Sequence, residues 1–86
     1  MEDMKELMDG KYEIIERYLN RITKISQRIG WYNAQVQNCD VKITGCDSWE
    51  QCKYYINKRN MMMSCKMAEQ GSLHFYTELL NEYINV

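Results

Sequence analysis

Eighty-six residues, 45% apolar and 27% charged with a net charge of −1, suffice for one small domain and exclude the composition of a disordered chain. No stretch approaches the roughly 20 apolar residues of a membrane span. The acidic start Met1-Glu2-Asp3 lacks the apolar run of a secretory leader, so a cytoplasmic protein is expected.

A chain this short buries only about 60–65% of the surface its unfolded form exposes, and such chains lean on disulfides, a metal or self-association. Proline is absent and the four glycines are isolated, so the strongest helix breaker is missing. Abundant Ile, Asn, Lys, Tyr and Met is the composition of an AT-rich coding genome, which suits a bacterial, phage or other viral origin.

The first element is the clearest. From Met8, steps of three and four residues land on Lys11, Ile15, Tyr18, Ile22, Ile25, Ile29, Tyr32, Val36 and Cys39. All but Lys11 are apolar, aromatic or thiol-bearing, which is a heptad stripe with β-branched residues at every seventh position. Gly30 falls inside the run, yet the stripe keeps its phase across it. Asp9-Gly10 also reads as a turn dipeptide. One helix over residues 3–38 is expected.

Residues 40–47, Asp-Val-Lys-Ile-Thr-Gly-Cys-Asp, break this spacing and are expected to form a loop. A second helix then starts near Ser48, where either Asp47 with Glu50 or Ser48 with Gln51 has capping-box spacing. Trp49, Cys52, Ile56 and Met63 fall on one stripe, with Arg59 and Lys66 at its other positions. A further stripe, Leu73, Tyr76, Leu80 and Tyr83, is shifted by three residues. That slip, beside Gly71-Ser72, predicts a bend or break, giving helices over 48–70 and 72–84.

The expected fold is all-α: one domain over 1–86, a long antiparallel helical hairpin with its second arm bent or broken near Gly71. A three-helix bundle folded back at Gly71 is the weaker alternative. Tyr12, Ile14, Leu19, Tyr54, Tyr55, Met62 and Leu79 lie off the main stripes and would stay wet in a lone hairpin. Each buried Leu, Ile or Met contributes about 1.5–3 kcal/mol, so this surplus points to a dimeric four-helix bundle. The residues expected at the oligomer or partner interface are Ile15, Tyr18, Ile22, Ile25, Ile29, Tyr32 and Val36.

Charge is segregated along the chain. Residues 17–66 hold nine basic groups against three acidic ones, and the two ends hold two basic against nine acidic. A hairpin gathers Arg21, Lys24, Arg28, Lys58, Arg59 and Lys66 into a basic band, which could hold nucleic acid or a nucleotide with Trp31, Tyr32, Trp49, Tyr54 and Tyr55 stacking on bases. The blander reading, a solvated flank, is favoured, because nucleic-acid proteins of this size usually carry strong positive net charge.

Catalytic constellations do not assemble. His74, the single histidine, is nine residues from Cys65, about 13 Å along a helix. No phosphate-cradling glycine loop, HExxH or GxSxG is present. Cys39, Cys46 and Cys52 bracket the expected loop and could hold zinc with Asp40 or Asp47, but without a Cys-x-x-Cys knuckle that signal is weak. Reduced thiols are expected in a cytoplasmic chain, with a Cys39–Cys52 disulfide as the alternative. Met61-Met62-Met63 with Met67 reads equally as gap-filling core and as adaptable binding surface.

The functional expectation is therefore a non-enzymatic protein-interaction module without cofactors, a small inhibitor or adaptor acting on a host factor if phage-encoded. The alternative is the nucleic-acid or nucleotide binder.

Overall fold

In the computed structural model, residues 2–85 are described, with side chains from residue 10 onward. They form two helices, α1 (Glu2–Gly45) and α2 (Trp49–Asn85), packed as an antiparallel hairpin. The molecule measures 71 × 15 × 13 Å. Its radius of gyration is 19.9 Å, against about 12 Å for a compact domain of this length. It is a rod.

The stripe read from α1 is the seam. Ile25 and Cys39 are buried, and Ile15, Tyr18, Ile22, Ile29, Tyr32 and Val36 are half-buried. The cadence does not stop where the loop was expected. Steps of four and three carry it on to the half-buried Ile43 and Cys46, and α1 continues to Gly45. Val41 and Lys42 point outward while Ile43 stays in register. The Thr44 hydroxyl donates back to Asp40 O at 2.9 Å, and Lys42 places positive charge in the last turn.

The connection is only Cys46-Asp47-Ser48. Cys46 closes α1 by donating its backbone N–H to Ile43 O at 3.4 Å. Of the two capping possibilities, Ser48 is the one used: its hydroxyl oxygen accepts the N–H of Gln51 at 3.3 Å. A Cys46–Cys52 disulfide spans the turn with its Cα atoms 5.9 Å apart. This corrects both thiol expectations, since Cys39 stays free on the buried seam, one heptad before the turn. A zinc set of Cys39, Cys46 and Cys52 is excluded for the same reason.

α2 departs furthest from expectation. No bend or break occurs at Gly71; the helix runs unbroken from Trp49 to Asn85. The stripe of Leu73, Tyr76, Leu80 and Tyr83 extends backward in strict steps of three and four through Glu69, Lys66, Met62, Arg59, Tyr55 and Cys52. Every one of these ten residues is buried or half-buried. The phase slip came from following Trp49, Ile56 and Met63, of which Trp49 is 73% exposed. Tyr55 and Met62, expected off the seam, lie on it.

Contacts between the two helices set the register. Arg28 pairs with Glu69, Arg21 with Tyr76, Asp40 with Arg59, and Tyr18 with both Tyr76 and Tyr83. All but the Tyr18–Tyr83 pair are nearly equidistant from the turn. Helix α1 has 44 residues and α2 has 37, so about two turns of α1 project past the end of α2.

Candidate functional site

Among the described residues only three apolar side chains are buried: Ile25, Cys39 and Leu80. The residues expected at an oligomer interface face α2 and make up the intramolecular seam. Tyr18 sits between Tyr76 and Tyr83 with ring centroids at 6.3 and 6.4 Å, and Lys11 lies over the Tyr83 ring. What remains for another molecule is therefore the two flanks of the hairpin. Tyr12, Leu19, Trp31, Val41, Trp49, Tyr54, Met61, Met67, Phe75 and Ile84 are all about half or more exposed. Tyr12, Leu19 and Tyr54 were expected to be wet; Ile14 and Leu79 are half-buried.

The six residues of the expected basic band do not form one patch. Arg21, Lys24 and Arg28 do come together, lining an open groove of about 590 Å³ between the helices. Arg17 and Asn20 extend its α1 wall; Tyr76, Ser72 and Glu69 form the α2 wall, with Ile25 between them. Arg28 grips Glu69 with two prongs, Nε to Oε1 at 3.0 Å and Nη2 to Oε2 at 3.2 Å. Arg21 donates to the Tyr76 hydroxyl at 3.0 Å and its guanidinium lies 5.5 Å from that ring. Lys24 has no ion pair among the described residues.

The other three lie apart from this groove. Arg59 is ion-paired to Asp40 through its buried Nε, without the alignment of a hydrogen bond. Lys66 occupies a half-buried seam position, and Lys58 is half-buried beside the seam nearer the turn. Arg17 was missed as a groove residue, although its spacing of four from Arg21 is visible in the chain. The Tyr76 wall could not be found until the register of α2 was known.

The remaining polar chemistry is modest. His74 pairs with Glu78 one turn away at 3.0 Å, both largely exposed. Loss of solvent around the seam and the neighbouring Cys65 push the Tyr32 hydroxyl above its usual range, with Arg28 pulling the other way. Among the described residues no three His, Cys, Asp or Glu side chains converge as metal ligands. No helix among them is long and apolar enough to cross a membrane. Comparison of the chain with protein-family models, with curated proteins and with solved structures found no match.

Proposed function

We propose that this protein is a non-enzymatic interaction module: a hairpin that self-associates into a four-helix bundle and binds or blocks another macromolecule, as an inhibitor or adaptor. The observation that carries this reading is unspent apolar surface. Among the described residues, three buried side chains are too few to hold a monomer, while ten large apolar ones stand in water.

Area gives the scale. The chain exposes 6942 Å². A compact monomer of its 10.4 kDa mass would expose about 5400 Å². The excess, about 1500 Å², exceeds the roughly 800 Å² that each partner contributes to a standard interface. Part of it follows from the rod shape, and packing rods side by side is how such area is removed.

Light scattering on the purified chain tests the reading. A mass twice that of the chain or higher is expected in the micromolar range, rising with concentration. A strict monomer at high micromolar concentration would count heavily against it.

The runner-up, capture of nucleic acid or a nucleotide, is supported by the convergence of Arg21, Lys24 and Arg28 in one groove. Against it stand the Asp40 partner of Arg59, the seam position of Lys66 and the overall charge of −1.

A further inference from the structure

The groove has two chemically different walls. On α1, Arg17, Arg21, Lys24 and Arg28 succeed one another in steps of four, three and four residues, a row about 16 Å long. Trp31, 54% exposed, follows three residues later on the same flank. On α2, steps of four and three from Ser72, back to Met61 and on to Phe75, reach only uncharged residues, and Phe75 and Met61 lie outside the groove's lining and are 57% and 58% exposed.

We propose that this groove receives an acidic amphipathic helix of a partner protein, its carboxylates on the α1 row and its apolar stripe against Phe75 and Met61. This rests on the reading of the hairpin as an interaction module and names the partner's chemistry and the face that meets it. Three observations converge. First, the row repeats once per helical turn, so carboxylates three and four residues apart on a facing helix meet successive cations. Second, the groove already holds one carboxylate, Glu69 on both prongs of Arg28, and an incoming glutamate would meet Arg21 and Lys24 beside it.

Third, the charges are unbalanced. Of the four cations lining the groove, Arg17 pairs with Glu13 at 3.3 Å and Arg28 with Glu69, which leaves Arg21 and Lys24 without a carboxylate partner among the described residues, in a chain that is acidic overall. The valley between two antiparallel helices is also the natural seat of a third, whose diameter of about 10–12 Å spans both ridges. A polynucleotide would use the cations equally well. It would leave Met61 unused, and the chain lacks the surrounding positive field that such binders carry.

Fluorescence polarisation on the full chain decides the matter with four labelled probes. These are a 20-residue helical peptide with leucines at three-and-four spacing and glutamates on its flanks, the same peptide with lysines for glutamates, a 20-nucleotide single strand, and its duplex. The glutamate peptide is expected to bind at least tenfold tighter than the lysine peptide and to weaken several-fold between 50 and 300 mM salt. R21E/K24E should reverse the peptide preference, and F75A should weaken both peptides, with helix content by circular dichroism unchanged in each variant.

Equal binding of the two peptides would overturn the electrostatic choice of partner while leaving the interaction-module reading in place. Tighter binding of either nucleic acid would overturn the proposal in favour of a polyanion site. A dimer of the chain that R21E/K24E dissociates would assign the groove to a second copy, which also overturns it. Failure of every probe, combined with a strict monomer by light scattering, would remove both readings together.

Discussion

The two arms of the hairpin form one seam from very different materials. Helix α1 supplies Ile15, Ile22, Ile29, Val36 and Ile43 at every seventh position, an unbroken β-branched ridge. Helix α2 supplies Cys52, Arg59, Lys66, Leu73 and Leu80 at the corresponding positions, with Glu69 among the intervening ones. The difference shows that a helix can be held in register by a partner's apolar stripe even when three of its own ten seam residues are charged. Long side chains make this workable, because Lys and Arg lay their methylene stems along apolar surface and carry their charge outward. Asp40 and Glu69 then take up two of the charges at the edges of the seam.

That contrast can be broken at its strong arm. Ile25 is 2% exposed, and I25A should cost about 2–5 kcal/mol, enough to unfold most of a chain with so small a core. The control is M61A on the exposed flank, within about 0.5 kcal/mol of the parent. Urea melts of the two variants measure the difference, and similar midpoints would mean that Ile25 is not where the hairpin is held.

The turn ranks next. The Cys46–Cys52 disulfide closes a short loop, and on chain-entropy grounds its loss should cost about 2 kcal/mol. Thiol titration of the denatured, unreduced protein should find two of the four cysteines free, as Cys39 and Cys65 are. Four reactive thiols would show that the turn holds without the bond.

The weak arm can be strengthened. Lys66 sits half-buried on the seam with no ion pair among the described residues, so K66L should gain about 1 kcal/mol, a rise of about 4–8 °C in Tm. A loss instead would mean that the Lys66 ammonium has a role the seam requires.

Gly71 gives the smallest effect and the sharpest test of continuity. A methyl group there meets nothing within 4 Å, and the residue is helical, so G71A should stabilise by about 0.5–1 kcal/mol. If the arm broke at Gly71, alanine would destabilise it.

How much could be read from the chain follows the same division between arms. On α1 the period of the apolar residues coincides with the buried face, so helix and phase were legible from Ile15 to Cys39, although the face was assigned to an oligomer or partner interface rather than to α2. On α2 the expected stripe joined Trp49, Ile56 and Met63 to Cys52, Arg59 and Lys66, when Tyr55, Met62 and Glu69 are the residues that complete the seam. The false slip at Gly71 followed from that choice. The groove was half legible: Arg21, Lys24 and Arg28 share a flank by spacing alone, whereas Lys58, Arg59 and Lys66 were added by proximity along a rod of unknown register.

Local pattern alone determined that this chain is helical, that its long arms pair, and that charge is segregated along it, because periodicity and charge order are properties of neighbours in sequence. Only the tertiary structure decided the length of α1, the continuity of α2, the Cys46–Cys52 pairing and the residues that wall the groove. Each of those depends on which face of one helix meets the other, a choice made by burial across the seam that no single helix carries within itself.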